Sequence, residues 1–134
     1  MDSSKVGVLG FSQGGAIGQA VVASEPQVKA FATWSTAGGN GIEDNSPEAI
    51  EAKENGFVMI DSFRGPLKQS KQFYISKENL RALDEISTRY HGSLLVIAGS
   101  EDTVVDPSIS HELINSVKSN DKTLRILEGA DHIF

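Results

Sequence analysis

No cysteine occurs among the 134 residues, which excludes a disulfide framework, a thiolate-bound zinc and a thiol nucleophile. Positive charge is scarce: 12 Lys and Arg stand against 18 Asp and Glu, a formal net charge of −6. The basic residues form no run, so neither nucleic acid nor an anionic membrane surface is an expected partner. Long apolar runs are missing too. The longest, Leu94–Ala98 ("LLVIA"), is far shorter than a bilayer requires. The opening "MDSSKVG" lacks the charged and apolar regions of a secretory signal, and a cytoplasmic location is the expectation. Nothing in the chain asks for a metal or an organic cofactor, and neither is expected.

What is present is the composition of an ordinary globular protein, 39% hydrophobic and 22% charged, with 13 glycines and 4 prolines. The length suits one domain over residues 1–134 with one modest core. Short apolar runs alternate with helical patterns. "KVGVLGF", "VKAFATW", "SLLVIAG" and "TLRILEG" read as strands, each a nearly continuous apolar stretch. Ala16–Ser24 reads as a helix with Ala16, Ile17, Ala20 and Val21 on one face. Pro47–Asn55 reads as a polar helix that Ser46 caps and Gly56 ends. Ser76–Tyr90 is amphipathic, Pro107–Val117 is helical, and "FVMID" is a further strand. This alternation predicts an α/β protein with a parallel sheet covered by helices on both faces.

The junction between the first strand and the first helix carries Gly10-Phe11-Ser12-Gln13-Gly14, which fits the G-x-S-x-G nucleophile elbow. A sharp turn there lifts the serine hydroxyl above the sheet edge at the cost of a strained backbone. Side chains at Gly10 and Gly14 are expected to clash with the strand and helix, and Gly15 lets the helix approach closely. The helix N-terminus presents free N–H groups to whatever Ser12 attacks, and the Gln13 N–H is the expected oxyanion donor. Other glycine motifs fit less well. A dinucleotide fingerprint needs glycine where Ser12 stands, and a P-loop needs a lysine that is absent.

A serine nucleophile requires a base, and the base an orienting carboxylate. Of the 3 histidines, His91 precedes a strand and His111 lies on a helix. His132, in "LEGADHIF", follows the last strand at the end of the sheet where Ser12 sits, and is the candidate base. The segment "AGSEDTVVDP" offers Glu101, Asp102 and Asp106. Asp106 precedes Pro107 and reads as a helix cap, Glu101 is expected to point away, and Asp102 is the candidate acid. Trp34 and Phe31 on the second strand, and Phe11 beside Ser12, are candidates to line a substrate pocket, with a core role as the alternative.

The order Ser12, Asp102, His132, together with "GVLGFSQGGA", "LLVIAGSEDTVVDP" and "GADHIF", resembles the α/β-hydrolase superfamily, especially its carboxylesterase and dienelactone-hydrolase-like branches. The resemblance implies a small parallel sheet with flanking helices, the C-terminal part of such a fold, in which about residues 38–90 form a lid-like insertion. It implies hydrolysis of small carboxylic esters through an acyl-enzyme on Ser12. A thioesterase or peptidase with the same triad, or a non-catalytic remnant serving as an interaction module, are the alternatives. The family's sheet also has strands before the elbow, whereas Met1 stands just ahead of it here, so the resemblance implies a shortened or minimal hydrolase. Its second oxyanion N–H would come from elsewhere, with "GGNG" after the second strand as one source. Loss of such a donor costs about 10²–10³-fold in kcat. Unless "FVMID" folds beside the first strand, that strand is an open edge, and a two-fold homodimer through it is expected.

Overall fold

The computed structural model describes residues 5–62 and 65–134. They form two compact units, one of residues 5–39 and 81–134, the other of residues 40–62 and 65–80. The first unit contains β1 (Val6–Phe11), α1 (Gln13–Ser24), β2 (Val28–Trp34), α4 (Ala82–Arg89), β5 (Ser93–Gly99), α5 (Ser108–Ser116) and β6 (Lys122–Leu127). The second contains α2 (Pro47–Asn55), β3 (Phe57–Ser62), β4 (Gly65–Ser70) and α3 (Lys71–Glu78). No helix among the described residues is long and apolar enough to cross a membrane.

The sheet of the first unit has four strands in the order β1-β2-β5-β6, all parallel. Phe31, Leu94 and Val96 point to one face and pack with Val22, Leu83, Ile86, Tyr90, Leu113 and Val117 from the helices. Full burial of such a side chain contributes about 1.5–3 kcal/mol. Among the described residues the opposite face is exposed. Leu9 is 71% exposed and Leu95 36%, and Ala30, Ser93, Thr123 and Arg125 are exposed beside them. The expectation of cover on both faces is therefore corrected, for a topological reason. Each crossover steps in the same direction across the sheet, and crossovers of one hand then place every helix on one side. Helices reach both faces only where the strand order reverses.

Three local expectations also change. The first helix begins at Gln13, and its buried residues are Gly15, Ala16, Gly18, Gln19, Val22 and Ala23. Ile17 and Val21 face solvent, 54% and 38% exposed, because close approach of Gly15 and Gly18 sets the contact face. A Cβ on Gly18 would stand 2.7 Å from the Phe31 ring. The amphipathic stretch Ser76–Tyr90 is two helices, not one. Asn79 ends α3 by donating its side-chain amide to the Ile75 carbonyl. The Gly39 carbonyl accepts from the N–H groups of Ala82 and Leu83, which opens α4. Accordingly α4 packs on α1 in the first unit, and the compact insert is Asn40–Leu80. Finally, "FVMID" pairs antiparallel with β4 in its own two-stranded sheet, so among the described residues β1 remains an edge strand.

The second unit is built from local signals. Ser46 Oγ accepts from the Ala49 N–H at 3.2 Å, Pro47 opens α2, and Gly56 closes it in the left-handed region at φ 87°. Ala49, Ala52, Val58 and Tyr74 form its core. Lys77 donates to Asp44 at 2.9 Å, and this bond, with those from Ser46, lowers the Asp44 pKa from the usual 3.8 to about 2. A depressed carboxylate stabilises the fold above its unfolded pKa, and that contribution disappears as pH falls through the folded value. The unit is expected to lose protease resistance between pH 4 and pH 2. Asp44→Asn should lower resistance at neutral pH and flatten that acid dependence, as limited proteolysis with a neutral protease at pH 7 and an acid-active one between pH 4 and pH 2 would show.

Candidate active site

The turn from β1 into α1 places Ser12 at φ 51°, ψ −123°, a region that costs a non-glycine residue on the order of 1–3 kcal/mol. Its surroundings hold it there. The Ser12 N–H donates to the Trp34 carbonyl at 2.9 Å, and the Ser12 carbonyl accepts from Gly15 and Ala37, each at 2.9 Å. The strained peptide is thus tied to the end of β2 and to the helix it starts. A Cβ on Gly10 would come within 2.5 Å of the Gly14 carbonyl oxygen, and one on Gly15 within 2.3 Å of Thr36 Oγ1. Those two glycines are required by space. Gly14 is not: a Cβ there would meet nothing within 4 Å, which corrects the expected clash.

His132 follows β6 and reaches back over the sheet end. Its Nε2 lies 3.0 Å from Ser12 Oγ, and its Nδ1 lies 2.8 Å from Asp102 Oδ2. The neutral imidazole with its proton on Nδ1 satisfies both contacts, donating to the carboxylate and accepting from the hydroxyl. Asp102 is held from the other side as well, where Oδ1 accepts from the N–H groups of Val104 at 2.9 Å and Val105 at 2.8 Å. Its side chain is 1% exposed and that of His132 16%. Burial is the largest single influence on Asp102 and raises its pKa, but the bonds from Val105, His132 and Val104 together outweigh it. The net shift is downward, so the carboxylate stays ionised at neutral pH.

The loops carrying these two residues are bound to each other. Glu101 N–H donates to the Ala130 carbonyl at 2.9 Å, and Ser100 N–H to the Leu127 carbonyl at 3.0 Å. Ser100 Oγ accepts from the Gly129 N–H at 2.9 Å. A Cβ on Gly99 would stand 2.2 Å from the Ala130 carbonyl oxygen. Only glycine lets the histidine loop come this close to the end of β5. Sequence reasoning does not single out Gly99 or Ser100; a glycine ending an apolar strand is the one signal that points there.

The remaining candidates separate cleanly. Gln13 is the first residue of α1, so its N–H has no carbonyl one turn back to accept it. Glu101 is exposed, as are His91 and His111. Asp106 Oδ1 accepts from the Ser108 N–H at 2.8 Å, a bond to the first residue of α5, whose cap position is Pro107. Asp106→Ala should lower stability by about 1 kcal/mol, read from urea unfolding, without an orders-of-magnitude change in turnover. Phe31 is 1% exposed in the core and lines no pocket near Ser12, because its side chain points to the helix-covered face. Phe11 and Trp34 do stand at the site, with Phe11 5.2 Å from the His132 ring and 5.9 Å from Trp34. In the "GGNG" segment the Gly39 carbonyl accepts from the Ala82 and Leu83 N–H groups, and the Gly41 N–H donates to the Leu80 carbonyl.

A parallel α/β sheet with a serine on a strained strand-to-helix turn, and an aspartate and a histidine on later loops, is the architecture of the α/β-hydrolases. The chain matches the Serine hydrolase (FSH1) family over residues 2–133 and belongs to it. It is similar in fold to the monoacylglycerol lipase of Paleococcus ferrophilus, with a TM-score of 0.74 at 19% identity, covering 96% of this chain and 60% of that one. Est1E from Butyrivibrio proteoclasticus gives 0.71 at 21%, covering 96% and 53%. The esterase domain of a Rhodothermus marinus protein gives 0.67 at 23%, covering 96% and 52%. The chain thus spans between about half and three-fifths of the length of these structures. A search of curated protein sequences found no match.

Proposed function

We propose that this serine hydrolase is a carboxylesterase acting on small carboxylic esters through an acyl-enzyme on Ser12. The observation that carries the reading is the unbroken chain from Ser12 Oγ to His132 Nε2 and from His132 Nδ1 to Asp102 Oδ2. Ser12 attacks the ester carbonyl while His132 Nε2 takes its proton, and Asp102 holds the resulting imidazolium. The Gln13 N–H, at the positive end of α1, faces the oxyanion. Collapse of the tetrahedral intermediate breaks the bond to the alcohol, which leaves with the proton from His132. Water then gives a proton to His132 and attacks the acyl carbonyl, and His132 returns that proton to Ser12 Oγ as its bond to the acyl carbon breaks and the carboxylic acid departs.

Intact-mass analysis after treatment with a fluorophosphonate tests this whatever the natural substrate is, because the reagent reacts with the activated serine itself. One adduct per chain, mapped to Ser12, is the expected result. A folded protein that takes up no adduct would leave the interaction-module reading in its place. Thioesters and amides offer the same carbonyl to the same residues, and relative kcat/KM on matched ester, thioester and anilide substrates separates the three.

The edge position of β1 and the exposure of Leu9 support a two-fold dimer through this strand, whose outward N–H and C=O groups are an open template. Light scattering over a dilution series should report twice the chain mass at high concentration. A mass of one chain throughout would remove the dimer.

A further inference from the structure

Beside Ser12 and His132 lies a connected set of aromatic rings that the hydrolytic steps do not use. Phe11 is tilted 43° to the His132 ring at 5.2 Å and meets Trp34 edge-on at 74° and 5.9 Å. Trp34 in turn stacks on Phe134, with ring centroids 4.8 Å apart and planes 20° apart. Asp131 Oδ1 fixes the chain at Phe134 by accepting from the N–H groups of Ile133 at 2.9 Å and Phe134 at 3.1 Å. Phe11 and Phe134 are each 43% exposed, so both retain ring surface for another group to cover.

The side of the substrate that meets these rings follows from proton transfer. His132 Nε2 returns its proton to the departing alcohol oxygen, so the alcohol portion must lie against His132. Phe11 meets that same histidine, and Phe134 joins it through Trp34. From this geometry we infer that Phe11, Trp34 and Phe134 form the binding wall for the alcohol portion and select esters of alcohols that carry an aromatic ring. Any apolar group of the right size gains from covering the wall. An aromatic one gains further, because its positive edge meets the negative face of a neighbouring ring, and each such pair is worth about two- to tenfold in binding. The inference rests on the acyl-enzyme reading above.

The experiment compares benzyl acetate with cyclohexylmethyl acetate, which share the acyl group and nearly share size but differ in the ring's π-system, the saturated ring being the more apolar. The expected kcat/KM ratio favours benzyl acetate by about two- to tenfold or more. Phe11→Leu and Phe134→Leu should each bring the ratio toward unity, chiefly through KM. Both substrates meet the same enzyme preparation, so a partly unfolded variant lowers both rates and leaves the ratio meaningful. Equal kcat/KM on the two esters in the wild type would overturn the inference while leaving ester hydrolysis standing. A preference that survives in both leucine variants would overturn it as well. Absence of hydrolysis on both esters, with no phosphonate adduct, would remove the acyl-enzyme reading and this inference with it.

Discussion

Ser12→Ala is expected to abolish both fluorophosphonate labelling and ester turnover, lowering kcat on the order of 10⁶-fold. Without the hydroxyl there is no acyl-enzyme, and the His132–Asp102 pair is left with no proton to take from the protein. The fold should remain, because the contacts of the turn are made by the Ser12 N–H and carbonyl rather than by its side chain. Alanine has the same Cβ as serine, so it keeps the strain of φ 51°, ψ −123°. Ser12→Gly removes that strain and should unfold at higher temperature than Ser12→Ala, by an amount within the roughly 1–3 kcal/mol that such a conformation stores. Thermal unfolding and phosphonate labelling of the two variants test both halves. Full turnover in Ser12→Ala would remove Ser12 from the reaction, and a glycine variant no more stable than the alanine variant would show that the turn is not strained.

Asp102→Asn is expected to lower kcat by about 10⁴-fold with a smaller effect on KM. The asparagine amide would present N–H to His132 Nδ1, turning the imidazole to the tautomer with its proton on Nε2. That nitrogen could then no longer accept the proton of Ser12. The substitution also removes the negative charge that stabilises the imidazolium. Asp106→Asn, by contrast, keeps an oxygen for the Ser108 N–H and should leave kcat within a few-fold of the wild type. Steady-state rates on one ester rank the two. The reverse ranking would transfer the acid role to Asp106. The depressed pKa of Asp102 also means that its stabilising bonds are complete above the usual carboxylate range and are lost as pH falls below it.

Much of this arrangement was legible because it is written in short-range rules. The cap at Ser46, the left-handed stop at Gly56 and the strands that begin near Val6, Val28 and Ser93 each depend on a few neighbouring residues. The same holds for the turn at Ser12, where crowding excludes any side chain at Gly10. Gly14 shows the limit of such reasoning. Its place in the motif suggested a packing demand, yet the space around it is open, because what crowds a position is set by elements remote in sequence.

By itself the sequence determined that strands and helices alternate, and that Ser12, Asp102 and His132 fall on loops at one end of the sheet. Apolar runs, glycines and capping residues act locally and suffice for that. Only the tertiary structure decided the strand order β1-β2-β5-β6, and with it the exposed face around Leu9 and Leu95. The pattern of alternation is the same whether or not the order reverses, whereas the hand of each crossover converts an unreversed order into helices on one side alone. The approach of the two loops at Gly99 and Ala130, which brings Asp102 to His132, likewise depends on β5 and β6 pairing in one particular register. Pairing between distant strands selects that register, and no local rule specifies it.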